Sequence, residues 1–359
     1  MEQSAEVQSL TFRNRSGLPG AVQFLLSIWN GFAGSRLRRR IRQFQPDVIH
    51  LHNWHFAIGP IAIRAAKKSR VPVVMTMHNY RLLCPSATLS HRGQLFTDSI
   101  RASFPWKAVR HKVYRHSAWQ TFWLAFVIWF HKRIGTWQQV DRYIALTEFS
   151  RSVFADAALN IPLEKWVVKP NFTHPLRDSP EHTPSGGFLY IGRLSEEKGI
   201  RVLLEAFRQT ESVLEIGGEG PLLDEVLRAG KDNTQITYIG KLDKQQVGRA
   251  MTEHEALIFP STWYEGMPMT ILEAFASGLP VIASELGAMA SMIRHGYNGL
   301  LFEAGNATDL LDKLHYWMTL TDTQKNGYRS NARATFLENY SPEKNREQLL
   351  AIYRSVARN

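Results

Sequence analysis

Short apolar runs separated by amphipathic stretches repeat along most of this chain. DVIHLH (47–52), VPVVMTM (71–77), VDRYIAL (140–146) and WVVKPNF (166–172) read as strands in the first half. GFLYIG (187–192), SVLEIG (212–217), ITYIG (236–240), ALIFP (256–260) and LPVIAS (279–284) read as strands in the second. Helical patterns fall between them: residues 21–44, IAIRAAKKS, EFSRSVFADA with Ser150 as N-cap, the stretch after GRLSEEKG, and MTILEAFAS. VQSLTF (7–12) allows one further early strand, and residues 341–356 read as a terminal helix. Repeated strand–helix–strand order predicts parallel sheets with right-handed crossovers. THPLRDSPEHTPSGG (173–187), with three prolines and a glycine pair, is the clearest linker. Four domain segments follow: residues 1–172, the linker 173–187, residues 188–340 and a closing helix over 341–359.

The densest pattern is residues 256–284. Strand ALIFP leads into the loop STWYEGMP, the helix MTILEAFAS ends at Gly278, and strand LPVIAS follows. Loops at the carboxyl ends of parallel strands are where open α/β sheets bind ligands. The first turn of such a helix presents unpaired N–H groups to an anion. Glu265 and Glu273 bracket that turn. Thr270-x-x-Glu273 also fits a capping box, and Glu265 also fits an ordinary loop carboxylate. Arg193 and Lys198 flank the turn GRLSEEKG, a second fitting place for phosphate. His52 and His78 each end a strand and are expected to face one crevice. His50, His52, His55 and His78 have no carboxylate or cysteine at ligand-like spacing beside them, which argues against a metal cluster. His78 as a structural histidine and His78 as a site residue both stand on the residues alone.

Totals add three constraints. At 359 residues and 44% hydrophobic, the chain has room for two ordinary domains. Its single cysteine, Cys84, excludes an internal disulfide and suits a reducing compartment, so a cytoplasmic location is expected. The polar start MEQSAEVQSL has no signal-peptide pattern, and TFWLAFVIWF (121–130) is half the length of a membrane span. Charge is uneven: residues 1–170 carry net +16 and residues 171–359 net −5. A basic first half, with RLRRRIR (36–42) and the basic–aromatic WKAVRHKVYRHS (106–117), points to an anionic partner. Peripheral contact with an anionic membrane on its inner face is the expectation. A solvated basic face and a core of aromatics are the plainer alternative. No nucleic-acid module accompanies the basic helix, so nucleic acid is not expected. SVLEIGGEGPL lacks the dinucleotide fingerprint, which disfavours an oxidoreductase.

EGMPMTILEAFASGLPVIAS, with its Glu265-x7-Glu273 spacing, resembles the signature of glycosyltransferase family 4, the retaining group 1 enzymes. GRLSEEKG, Gly218-Glu219-Gly220-Pro221, VVMTMHNYRLLCP and GAMASMIRHGYNGLLFEAGN resemble further segments of that family, so the likeness runs from about Pro46 to the end. It implies an α/β, GT-B fold: two Rossmann-like, doubly wound parallel-sheet domains facing a cleft, with the terminal helix crossing back to the first. It implies a nucleoside diphosphate sugar as donor, UDP or GDP undecided, no other cofactor, and transfer to a hydroxyl of a glycan or lipid-linked acceptor. By the same resemblance Arg193 and Lys198 hold the diphosphate, Glu265 approaches the sugar, and Glu273 binds the ribose. Gly266, Met267, Pro268, Met269 and Thr270 form the loop and helix start around the donor, and His78 positions the sugar. The chain has no Asp-x-Asp, so no essential metal is expected. The family's opening strand, Gly-rich loop and helix are missing. Either the start given lies downstream of the true one or part of the donor site is absent. A sugar-nucleotide epimerase and a non-catalytic donor-binding protein are the alternatives.

Overall fold

The computed structural model describes residues 5–12, 20–55, 57–175 and 186–357. Most of the expected linker, 176–185, lies outside the described residues. The chain divides into two compact units. The first comprises Met1–Leu89, Phe96–Lys169 and Arg346–Asn359, and the second Ser90–Leu95 and Pro170–Asn345.

The first unit opens with α1 (Gly20–Leu26) and α2 (Gly31–Phe44), then β1 (Ile49–His52), α3 (Ile61–Lys68) and β2 (Val73–Met77). A small hairpin, β3 (Ser90–His91) and β4 (Gln94–Leu95), groups with the second unit. Then come α4 (Trp106–Arg110), α5 (Ala118–Arg133), β5 (Arg142–Ala145), α6 (Glu148–Ala155) and β6 (Trp166–Val168). The sheet order is β1-β2-β5-β6, every pair parallel. All five residues of β2 are buried, as expected of a strand covered on both faces.

Three local expectations are corrected. VQSLTF is not a strand: its residues carry no regular structure. The helix expected over 21–44 is two helices, because the Asn30 side chain accepts from Ala33 N at 3.0 Å and starts α2 afresh. The cap of α6 is Thr147, whose hydroxyl accepts from Ser150 N at 3.0 Å, so Ser150 sits inside the first turn.

The second unit runs β7 (Phe188–Ile191), α7 (Ile200–Phe207), β8 (Leu214–Gly217), α8 (Leu223–Asp232), β9 (Ile236–Gly240), α9 (Lys244–Glu253) and β10 (Ala256–Phe259). It continues with α10 (Met269–Ala276), β11 (Val281–Ser284), α11 (Gly287–Met292), β12 (Gly299–Phe302), α12 (Ala307–Thr319) and α13 (Asp322–Asn339). The final helix, α14 (Pro342–Arg354), belongs to the first unit from Arg346 onward. Six parallel strands lie in the order β12-β11-β10-β7-β8-β9. The chain steps outward from β7 to β9, then returns to β7's other side with β10. That reversal is a topological switch point, where neighbouring loops part and leave room for a ligand.

Two loops leave the sheet there, one after β7 and one after β10. They come close because Gly199 adopts φ +73° and has no side chain: a Cβ there would stand 1.9 Å from Pro260 O. Thr262 N donates to Glu197 O at 3.0 Å beside this contact.

Gly199→Ala is expected to destabilise the second unit by about 2 kcal/mol or more, since steric overlap adds to left-handed strain. Gly296→Ala is the control: its φ of +75° is similar, but nothing lies within 4 Å of the new methyl. Urea titration followed by circular dichroism should show a markedly larger fall in midpoint for Gly199→Ala.

Candidate functional site

The loop after β7 carries Arg193 and Lys198, and the loop after β10 carries Glu265. Glu265 is buried, 8% exposed. One of its oxygens, Oε1, takes three partners: Lys198 Nζ at 2.6 Å, Ser261 Oγ at 2.8 Å and Trp263 Nε1 at 2.6 Å. Three donors on one oxygen fix the carboxylate's orientation. Lys198 Nζ is fixed too, 5.2 Å from the Trp263 ring centre and 5.8 Å from that of Phe259. An ammonium over aromatic faces is attracted by the ring electrons.

Arg193 is exposed and stands at the foot of the same loop. Its carbonyl accepts from Tyr190 Oη at 2.9 Å. Burial, then the Glu265 and Glu197 carboxylates, push the Tyr190 hydroxyl well above its ordinary pKa, so it remains a donor. The neighbouring turn is equally constrained: Gly218, at φ +144°, would place a Cβ 1.8 Å from Gly192 O. Leu194 N donates to Glu219 O and Leu222 N to Leu194 O, each at 2.9 Å.

Gly266, Met267, Pro268, Met269 and Thr270 lead into α10. Met267 Sδ accepts from Asn171 N at 3.2 Å, and Met269 is exposed. The N-cap of α10 is Pro268, with no side-chain cap. Thr270 therefore lies inside the helix, and the capping-box alternative for Thr270 and Glu273 does not hold. Among the described residues, Met269 N and Thr270 N have no acceptor, so the start of α10 presents free N–H groups. The helix stops as expected: Gly278 takes φ +70°, Leu279 N reaches Ala274 O at 2.8 Å, and Gly278 N reaches Phe275 O at 3.0 Å.

Glu273 lies one turn further along α10, half-buried. Among the described residues its carboxylate has no hydrogen bond and no ion pair within 4 Å. Burial pushes its pKa above the ordinary 4.5, opposed by the more distant Lys244. A half-buried carboxylate without a donor is a feature the fold does not need.

The first unit holds His78, directly after β2, and His52, the last residue of β1. His52 Nδ1 and His78 Nε2 are 2.8 Å apart. His50 stacks on His52 at 4.2 Å and sits between Tyr353 Oη (2.6 Å) and Thr76 Oγ1 (2.7 Å). Burial lowers His50 to about 3 and His52 to about 4, with the neighbouring histidines and Lys169 adding to it. Burial and then Lys169 lower His78 too. Lys169 itself falls to about 8 by burial. The histidines are therefore neutral near pH 7, hydrogen-bonding groups rather than cations. Among the described residues, no group of three or more His, Cys, Asp or Glu is arranged to hold a metal ion.

The second unit thus brings Lys198 and Glu265 into contact and places Arg193, residues 266–270 and Glu273 on the same pair of loops and helix. His78 belongs to the first unit. Sequence reading missed Ser261 and Trp263 as the groups that fix Glu265. They lie inside STWYEGMP, but a hydroxyl and an indole in a loop carry no spacing signal of their own.

Comparison with known proteins adds the following. The model of the glycosyl transferases group 1 matches residues 177–335, and that of glycosyltransferase family 4 matches residues 11–175. The likeness therefore begins upstream of Pro46. An alpha-monoglucosyldiacylglycerol synthase of Acholeplasma laidlawii is 24% identical over 291 residues, covering 74% of this chain and 66% of that protein. The chain spans 36% to 66% of the length of the first curated relatives it matches. Among solved structures, a glycosyltransferase of Rickettsia africae is similar with TM-score 0.70 and 17% identity, covering 98% of this chain and 85% of that one. Anabaena Alr3699/HepE in complex with UDP has TM-score 0.66 and 19% identity, covering 90% and 82%. The fold is GT-B.

Glu273 gives a stability test. A carboxyl whose pKa rises on folding binds its proton more tightly folded than unfolded. Folded stability is then lost as pH rises through the raised pKa, and the loss is absent below 4.5. Glu273→Gln is expected to raise the melting temperature at pH 7, because the amide carries no charge to desolvate. Melting curves from pH 4 to 8 should show the gain vanish at the acid end.

Proposed function

Because the chain belongs to the group 1, family 4 glycosyltransferases, we propose that it moves a sugar from a nucleoside diphosphate donor to a hydroxyl, retaining configuration at the anomeric carbon. The observation that carries this reading is the gathering of Lys198, Glu265, Glu273 and the free N–H groups of α10 at the switch point of the second unit's sheet. In the reaction the bond between the anomeric carbon and the diphosphate oxygen breaks, the acceptor oxygen takes its place on the same face, and the acceptor's proton passes to the leaving diphosphate. Negative charge grows on the leaving diphosphate. Arg193, Lys198 and the start of α10 meet that charge without reorganising, which is electrostatic catalysis. Residues 266–270 line the donor. Glu273, with no internal donor, accepts the ribose hydroxyls, and Glu265, fixed by its three partners, holds the sugar. His78, neutral near pH 7, positions the reacting face.

No divalent metal enters this scheme, since two cations and a helix start are available for the diphosphate. UDP and GDP remain equal candidates for the nucleotide. For the acceptor we take a lipid-linked or surface glycan. The name of the diacylglycerol relative supports an acceptor of lipid character, and the +16 charge of residues 1–170 supports working against an anionic membrane from the cytoplasmic side.

Calorimetry with UDP and with GDP, without metal, is the direct test. One should bind, and Glu273→Ala should abolish that binding. With donor and acceptor in hand, Arg193→Ala and Glu265→Ala should each lower turnover about 100-fold, the size of one lost charge-assisted transition-state contact. Unchanged turnover in either variant overturns the assignment of that residue.

A further inference from the structure

One surface of the first unit has no part in the scheme above. Helix α5 is AWQTFWLAFVIWFHKR. Leu124, Ala125, Val127 and His131 are buried against the unit. Trp119, Phe122, Trp123, Phe126, Trp129 and Phe130 follow the helical period on its outer side, none of them buried. Their rings form a continuous ladder: Trp119–Phe122 at 6.1 Å, Phe122–Phe126 at 6.0 Å, and Phe126 to Trp129 and Phe130 at 5.9 and 6.2 Å. Trp106, from α4, extends the ladder onto Phe122 at 6.1 Å.

The apolar surface does not stop at α5. Trp123 Nε1 donates to Phe24 O at 2.8 Å, which brings α1 and the turn after it alongside. Val22, Leu25, Trp29 and Phe32 are all exposed there. Exposure reaches 85% at Phe32, 64% at Trp106 and 59% at Trp119. A monomer in water rarely leaves so much contiguous aromatic surface uncovered.

Charge says what covers it. Residues 104–135 hold six Lys and Arg and no Asp or Glu, and residues 20–44 hold five Arg and no Asp or Glu. A cavity of about 680 Å³ opens at the edge, where Trp29 and Phe32 meet Arg38, Arg64, Lys67 and Lys68. A second copy of this chain would bring the same positive charge to the contact. An anionic bilayer brings the opposite charge together with an apolar layer. Among the described residues, the indole N–H groups of Trp106 and Trp119 have no internal acceptor, leaving them for lipid headgroups. Tryptophan with an apolar body and an unpaired N–H favours the bilayer interface. No helix among the described residues is long and apolar enough to cross a membrane. With 16 residues, α5 is about 24 Å long, short of the roughly 30 Å hydrocarbon core.

We propose that α5, with α1, Trp29, Phe32 and Trp106, is an in-plane insertion face that seats the first unit on an anionic lipid surface. The aromatic rings enter the boundary between headgroups and acyl chains, and the surrounding Lys and Arg side chains rest on lipid phosphates. This deepens the membrane reading given above, which rested on net charge and the basic–aromatic stretch 106–117: the anchoring element is the aromatic face of α5, and charge directs the approach.

The test uses the full chain and vesicles of phosphatidylcholine, alone or in equal mixture with phosphatidylglycerol. The chain should sediment with the anionic vesicles, and acyl chains brominated near the headgroup should quench its tryptophan emission. Trp106→Ser and Trp119→Ser should each weaken partitioning about tenfold, from lost apolar burial, without lowering the melting temperature. Sedimentation without quenching, and unchanged in both variants, overturns the insertion face while leaving the charge-based reading intact. Failure to sediment with anionic vesicles at low salt overturns both. A concentration-dependent dimer that the same serine variants break apart assigns the face to a second copy and overturns the proposal.

Discussion

The candidate site depends on how closely two loop backbones approach at the end of one sheet. Gly199 meets the carbonyl of Pro260 at a distance that excludes any side chain. That contact holds the loop after β7 against the loop after β10 and brings Lys198 within 2.6 Å of Glu265. Widening the gap by one methyl group would separate the ammonium from the carboxylate. It would also shift Ser261 and Trp263, the other two partners of Glu265. The electrostatics are therefore set by backbone packing, a short-range and unforgiving constraint. The sheet supplies it: β7 and β10 are neighbours in space although more than sixty residues apart in the chain.

Much of this could be read from the residues. Five of the second unit's six strands were legible because each is a short apolar run ended by Gly, Pro or a polar loop, whereas β12 was not singled out. Gly278 ends α10 as its type suggests, and the Glu265–Glu273 spacing singled out the loop and the helix start. Boundaries were less legible. Ala21 to Phe44 looks like one helix because its periodicity runs through Asn30, and only the capping bond to Ala33 N shows the break. Ser150 and Thr147 are both good caps, and nothing local tells which hydroxyl is used. VQSLTF alternates like a strand, but alternation without a neighbouring strand makes no ladder. The hold on Glu265 by Ser261 and Trp263 was illegible for a different reason: it depends on side-chain direction within an irregular loop.

The two charged elements of the second unit are treated in opposite ways. Glu265 is buried and given three donors, so it is satisfied without any ligand. Glu273 is half-buried and given none, so the protein alone leaves it unfavourable. Such asymmetry separates a group whose task is to keep its orientation from one whose task is to receive a partner. The first unit's histidines fall between these cases. Hydrogen-bonded to each other, to Thr76 and to Tyr353, they stay neutral and keep net charge away from the end of the sheet where His78 emerges.

The contact between His50 and Tyr353 joins residues 303 positions apart within one unit. A ribosome adding roughly 5–20 residues per second reaches Tyr353 about 15–60 s after it has made His50. The first unit is therefore completed only after the second unit has been made. During that interval the imidazole of His50 lacks the phenol that will close it in, while the whole second unit is translated and free to fold. The residues from Arg346 onward act as a late keystone of the first unit's sheet.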